Sequence, residues 1–288
     1  MTDLFATPAA QLAAALVFGL LLGSFLNVVI LRVPPRLQWA WRRDCRELLE
    51  LPEGDDPQPP GIVVERSHCP SCARQLSAWE NIPLLSYAML RGRCRTCGTA
   101  ISWQYPAVEA LTALLVMVCV WRYGLGPEAA LAVAFTGLLV AMSGIDLRTT
   151  LLPDQLTYPL LWLGLLASLW GPFGVGPREA ILGATVGYLS LWSVFWAFKL
   201  LTGKDGLGYG DFKLLAALGA WCGLNALLPI ILLSALSGAI IGSLWLWLGG
   251  RDRATHIPFG PYLAVAGWLQ LVLAPDLLGA YLRWAGVA

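Results

Sequence analysis

Charge is what this chain has least of. Lysine, arginine, aspartate and glutamate together make up 13% of its 288 residues, against 57% hydrophobic residues and 14 tryptophans. Soluble domains carry about 25% charged residues, so an ordinary water-exposed globule is excluded and a multi-span membrane protein remains. Histidine is nearly missing, with only His68 and His256, which leaves histidine-centred catalysis poorly supplied. A net charge of +1 gives no basic excess with which to hold nucleic acid. A cleavable leader is not evident either. No cationic stretch precedes the first apolar run, and that run, Ala9 to Leu31, is 23 uncharged residues long, more than a signal core requires. No internal repeat stands out, and no strand pattern runs into a glycine-rich turn of the dinucleotide-binding kind.

The apolar stretches predict an all-α polytopic membrane protein of about eight transmembrane helices. The first span lies within 1–31, and seven more fall near 105–121, 127–145, 155–171, 180–198, 211–223, 226–249 and 257–275. Leu214 to Gly250 is a run of 37 uncharged residues, too long for one crossing, and Gly223-Leu224-Asn225 is the natural turn within it. This leaves a short segment after Asp211, which sets that acid near the membrane surface. Thirty glycines suit helices that approach closely in lipid. Three regions follow: a first helix (1–31), a polar cysteine-bearing region (32–104) and a seven-helix membrane domain (105–288). Within the polar region, residues 44–61 are acidic and proline-rich and read as a flexible insert. With the N-terminus outside, 16 of the 19 lysines and arginines face inward, leaving only Arg122, Arg178 and Arg283 outside. The same alternation puts the cysteine region, Asp146 and Asp211 all on the cytoplasmic side.

Cys69-Pro-Ser-Cys72 and Cys94-Arg-Thr-Cys97 are two C-x-x-C knuckles separated by 21 residues, the pattern of a four-cysteine zinc site. In a reducing cytoplasm a disulfide reading is disfavoured, while redox chemistry and an iron–sulfur cluster are the lesser alternatives. Such a zinc site is closed, so it orders a small domain and performs no hydrolysis. His68 reads as a bystander, and Cys119 and Cys222 as small apolar residues in packed helices.

Gly208-Tyr209-Gly210-Asp211 is a G-x-G-D box entering an apolar segment, and Asp146 ends another. Glycines without a Cβ let backbone come close. Two carboxylates held together cannot both ionise cheaply, so they share a proton. That is the state acid–base hydrolysis needs, with one member activating water and the other polarising a carbonyl. The plainer reading is that each aspartate ends a helix at the interface. Asp154 is a rival for the second acid, although its place before Gln155 and an apolar run suits a helix N-cap. Glu109, one turn into the second span, either pairs with a cation at the interface or contacts substrate. Intramembrane acids also mark ion paths, so a transporter with a zinc-stabilised cytoplasmic module is a reading from another class. Acids placed toward one face and the lack of two similar halves weigh against it.

Together these motifs resemble the bacterial type IV prepilin leader peptidase/N-methyltransferases. The likeness covers nearly the whole chain. It rests on Gly23-Ser24-Phe25-Leu26-Asn27-Val28-Val29, the paired knuckles, Glu80-Asn81-Ile82-Pro83-Leu84-Leu85-Ser86-Tyr87 and Tyr105-Pro106-Ala107-Val108-Glu109. Further along, it rests on Ile145-Asp146 with Leu152-Pro153-Asp154, on Gly208 to Leu215, and on Ile257-Pro258-Phe259-Gly260-Pro261-Tyr262. The resemblance implies an aspartic endopeptidase of the G-x-G-D class, with Asp146 and Asp211 as its catalytic pair and Gly208 and Gly210 supporting them. It implies an inner-membrane enzyme of type IV pilus and type II secretion systems, with a periplasmic N-terminus and a cytoplasmic-face active site. Its substrates would be prepilins and pseudopilins, met in membrane lipid. The new N-terminal residue, usually phenylalanine, would be methylated with S-adenosylmethionine, and the zinc-bearing region is linked to that step. A peptidase without methylation is the narrower alternative, against which the four cysteines argue.

Overall fold

The computed structural model describes residues 7–52, 54–204, 206–249, 258–275 and 279. Arg251, Arg253, Ile257 and Arg283, on which the topology count and the last motif draw, lie outside the described residues. Among the described residues the chain is helical with no strand beyond two isolated bridges. It divides into two compact units, Met1–Gly124 and Leu125–Ala288.

The first unit is built on α1 (Pro8–Leu48), entered through Thr7, whose hydroxyl accepts from the Ala10 N–H at 3.3 Å, with Pro8 at the first helical turn. Its buried positions Ala15, Gly19, Gly23, Asn27 and Ile30 recur every three or four residues, which puts them on one face. That face packs on α3 (Gln104–Tyr123), which follows the short α2 (Leu85–Met89) in the chain. Gly19 and Gly23 form a small-x-x-x-small pair, and a Cβ at either would fall 2.6 Å from the Ala113 Cα or 2.7 Å from the Glu109 Cα.

The first helix does not stop at Leu31. It runs through Pro34 and Pro35 to Leu48, so Asp44–Leu48 of the expected insert is helical. Two prolines inside a helix are costly, and the returning chain offsets them. Arg32 donates to the carbonyls of Gly61, Glu65 (2.9 Å) and Arg66 (3.3 Å), Arg36 to Pro59 (2.8 Å), and the Trp39 indole to Asp56 (3.1 Å). The Asp56 carboxylate lies 3.6 Å from both Arg42 and Arg46. Residues 56–66 therefore run back along the helix as a pinned strap, where the composition suggested flexibility. The unit also ends later than the expected border at residue 104, because α3 is the packing partner of α1.

The second unit holds α4 (Pro127–Thr149), α5 (Asp154–Ala167), α6 (Pro177–Thr202), α7 (Tyr209–Cys222), α8 (Leu227–Gly249) and α9 (Gly260–Trp268), the last continuing through a π-helical turn to Leu273. Among the described residues five helices, α1, α3, α4, α6 and α8, are long and apolar enough to cross a membrane. With the shorter apolar α5, α7 and α9 they match the eight expected segments one to one. At the centre of its unit lies α7, with ten of its residues buried from Asp211 to Trp221. Its neighbours reach it through small residues: Gly183 of α6 meets Gly219 back to back, Gly164 of α5 lies under the Trp221 ring, and Gly267 of α9 under Leu218. The Trp221 indole donates to the Leu160 carbonyl at 2.8 Å. Gly223, at φ +78°, then turns the chain toward α8. With 14 residues at about 1.5 Å each, α7 is about 21 Å long, short of the ~30 Å hydrocarbon layer. At least one of its ends is therefore recessed.

Candidate active site

Asp211 lies in the first turn of α7, and Gly208, the residue before that helix, donates its N–H to the carboxylate. A Cβ at Gly208 would stand 3.4 Å from Asp211 Oδ2, so the first glycine of the box lies against the acid. Asp146, near the end of α4, accepts the Gly260 N–H on its Oδ2 at 2.9 Å. The two carboxyl groups are near enough to repel one another. Both are buried, at 4% exposure for Asp146 and 7% for Asp211. Leu152, in the α4–α5 turn, ties the parts together. Its side chain would be met by a Cβ at Gly210 (2.7 Å) and by one at Gly260 (3.1 Å), and that at Gly260 would also sit 2.7 Å from Asp146 Oδ2. Two acids remote in sequence thus share one neighbourhood in which three glycines keep side chains out of the way. A buried carboxyl pair of this kind can hold one proton between them and pass it to and from a bound water.

Asp154 is not part of that group. It is the first residue of α5 and makes none of the expected capping bond. Its two oxygens lie 2.6 and 2.9 Å from Lys213 Nζ, whose ammonium also stands 5.3 Å over the Tyr158 ring. The difference arises because Lys213, two residues beyond Asp211, reaches across from α7 with a full charge. Glu109 is in the other unit and, among the described residues, pairs with no lysine or arginine; it accepts the Leu84 N–H at 2.9 Å and the Ser24 hydroxyl. The sequence reading gave no role to Gly260 or Lys213. Both stood in the sequence only as members of longer motifs, Gly260 between Pro258 and Pro261 and Lys213 two residues past the G-x-G-D box.

The cysteines converge as their spacing foretold. The ligand atoms of Cys69, Cys72, Cys94 and Cys97 all lie within 4.8 Å of one another, with the Sγ atoms of Cys69 and Cys97 3.8 Å apart. A tetrahedral ion with bonds of about 2.3 Å to sulfur requires edges of about 3.8 Å, so the cluster fits such an ion. The two knuckles repeat each other. In each, the first cysteine N–H donates to the carbonyl five residues on, to Arg74 at 2.9 Å and to Thr99 at 2.8 Å. The residue after each second cysteine, Ala73 or Gly98, takes a positive φ. The Thr99 hydroxyl and N–H bring the Cys97 thiol down to about 6. Although the Arg74 N–H works the other way, burial and the neighbouring cysteines push Cys72 up to about 11. Four thiolates this close repel, and a divalent cation relieves that repulsion. Beside the cluster, the Ser77 hydroxyl (2.6 Å) and N–H (2.8 Å), with the Arg74 guanidinium, hold Glu80 at about 2.

Fold and site together define an all-helical, multi-pass membrane protein with a four-cysteine cluster able to hold a metal ion between α1 and α3. Residues 17–123 match the Bacterial Peptidase A24 N-terminal domain and residues 133–243 the Type IV leader peptidase family. The chain is 59% identical over 280 residues to the prepilin leader peptidase/N-methyltransferase of Xanthomonas campestris pv. campestris, covering 97% of each. It is 48% identical over 282 residues to the protein so named from Stutzerimonas stutzeri, covering 98% of this chain and 97% of that one. The Pseudomonas aeruginosa protein of that name is 48% identical over 283 residues, with coverage of 97% and 96%. No solved structure matches. The chain belongs to the type IV leader peptidase family.

Proposed function

We propose that this protein is a prepilin leader peptidase and N-methyltransferase in which Asp146 and Asp211 are the catalytic acids. The observation that carries the reading is the meeting of these acids, one on α4 and one on α7, in a pocket of glycine backbone. The ionised member takes a proton from water as that water attacks the scissile carbonyl, and the protonated member donates to the carbonyl oxygen. Gly208 holds Asp211 through its N–H, and the Gly260 N–H holds Asp146. Gly210 packs directly on Leu152, which a Cβ there would meet at 2.7 Å. The site faces the cytoplasm of a bacterial inner membrane, where the leader of a prepilin or pseudopilin ends and its apolar helix enters lipid. The distribution of lysine and arginine supports that side.

Zinc, held by Cys69, Cys72, Cys94 and Cys97, orders the cysteine-bearing region, and four protein ligands leave no open position for chemistry. S-adenosylmethionine supplies the methyl group. Any site for it is made of helices and turns, since no strand of the dinucleotide-binding kind is found among the described residues.

The test is cleavage of a purified prepilin by Asp146→Asn and Asp211→Asn enzymes in detergent, with mass spectrometry of the product. Each substitution should lower cleavage by on the order of 10²- to 10⁴-fold. Asp154→Asn, which breaks a partly exposed ion pair, should cost no more than about fivefold, because such pairs are worth up to about 1 kcal/mol. Full activity in either Asp146→Asn or Asp211→Asn would sink the assignment.

A further inference from the structure

Unit Met1–Gly124 contains a second buried polar group, apart from the aspartates. Ser24 and Asn27 on α1 and Glu109 on α3 gather within one helical turn of the Gly23 contact, in an otherwise apolar helix pair. Asn27 is 1% exposed and Glu109 7%. The Asn27 Nδ2 donates to the carbonyls of Gly23 (3.3 Å) and Tyr105 (3.1 Å). Since both partners can only accept, the amide has one orientation, and its Oδ1 is a buried acceptor that meets no donor among the described residues. Close by, the Glu109 carboxylate receives one N–H from Leu84 and one O–H from Ser24. A carboxylate offers about four acceptor sites. Acceptors thus outnumber donors here, and a carboxyl group is buried with no lysine or arginine paired to it among the described residues, a place where its charged form is costly unless a cation completes it.

The missing piece is compact, positive and rich in N–H donors. A primary ammonium fits, with three donors on one nitrogen. A guanidinium, planar and broad, would not enter beside a helix contact so close that Gly23 has no space for a Cβ. We propose that Asn27 Oδ1 and the Glu109 carboxylate receive the free α-ammonium of the processed pilin, making the α1–α3 pair the acceptor-amine site of the methyl transfer. Glu109 would take one ammonium proton, and the lone pair so freed would form the N–C bond as the methyl–sulfur bond of S-adenosylmethionine breaks. An incoming ammonium can use the acceptor sites of Glu109 that Leu84 and Ser24 leave open, so neither donor has to be displaced. The inference rests on the methyltransferase half of the function above and is independent of which acids cut the peptide.

The experiment uses the full-length enzyme in detergent and two synthetic peptides of a mature pilin N-terminus starting at phenylalanine, one with a free amine and one N-acetylated. The wild type should bind the free amine more tightly than the acetylated peptide. In Asn27→Leu, Kd and methylation KM for the free amine should rise roughly tenfold or more, as expected when a charged hydrogen bond is lost, with acetyl-peptide binding and prepilin cleavage unchanged. Asn27→Asp, which keeps an acceptor, should restore binding. Metal content per chain serves as the check that the fold is intact. Equal binding of the two peptides by the wild type, equal loss of both in Asn27→Leu, or no rescue in Asn27→Asp would overturn the proposal. If the wild type methylates neither peptide, the methyltransferase reading fails, and discrimination between the peptides alone decides the amine site.

Discussion

Gly260 has no side chain to contribute, and its place depends on that. Its N–H is bonded to Asp146, and a methyl group on its Cα would come within 2.7 Å of the same carboxyl oxygen. Gly260→Ala should therefore displace Asp146 while the helices keep their packing. Prepilin cleavage is expected to fall on the order of 10²-fold, the cost of misplacing a reacting group by about an ångström, with no change in protein yield. Unchanged turnover would show that the contact is incidental. At Glu80 the consequence is a dependence on pH. Its folded value of about 2 lies below the ordinary carboxyl value near 4.3, so its contribution to stability is complete above that value and disappears as pH falls toward 2. Thermal melts of Glu80→Gln should lie below those of the wild type at pH 6 and converge with them near pH 2. The meeting of the four cysteines could be read from the sequence because thiols at set spacings carry it, and Asp146 and Asp211, proposed as the catalytic pair, drew notice as acids ending or beginning apolar segments. Gly260 could not, since nothing but a backbone N–H does its work, and Lys213 could not until the fold brought Asp154 within 3 Å of it.

Among the elements, α7 is the one most dependent on its neighbours. Gly183 and Gly219 meet with so little space that a Cβ on either would run into the other's carbonyl oxygen. Gly219→Leu must push α6 and α7 apart, at a cost of about 1–3 kcal/mol for overpacking. It should lower the melting temperature and cleavage together, because Asp211 rides on α7. Gly176→Ala, with nothing within 4 Å of the added methyl, should change stability by no more than about 0.5 kcal/mol. A result in which Gly219→Leu melts like the wild type would refute this account of the interface. Apolar run length sufficed to find the eight apolar helices, five of them long enough to cross a membrane. The end of α1 was hidden, since Pro34, Pro35 and five arginines looked like a stop; the bonds that carry the helix past them come from residues 56–66, far along the chain.

For the whole molecule, the division into two units separates two dependencies. The four-cysteine cluster, proposed to hold zinc, lies in Met1–Gly124 and the paired acids in Leu125–Ala288. Stripping metal with a chelator should expose amides of residues 67–101 to hydrogen exchange while α4 to α9 keep their protection, because structural metal binding is part of the folding energy of the region it closes. Loss of protection across α7 on chelation would contradict such independence. The sequence reading put the border at residue 104 from the change in polarity. Polarity marks where chain enters lipid, whereas compactness follows contacts, and α3 spends its contacts on α1.

Pro34 and Pro35 have one more implication. A proline nitrogen carries no hydrogen, so the carbonyls of Ile30 and Leu31, four residues back, lose their usual helical donors. Hydrocarbon cannot hydrate a bare carbonyl, and water can. The tandem prolines therefore draw a waterline across α1: the oily interior ends at that turn, and the seventeen residues from Arg32 to Leu48 stand above it as a mast some 26 Å tall at about 1.5 Å per residue.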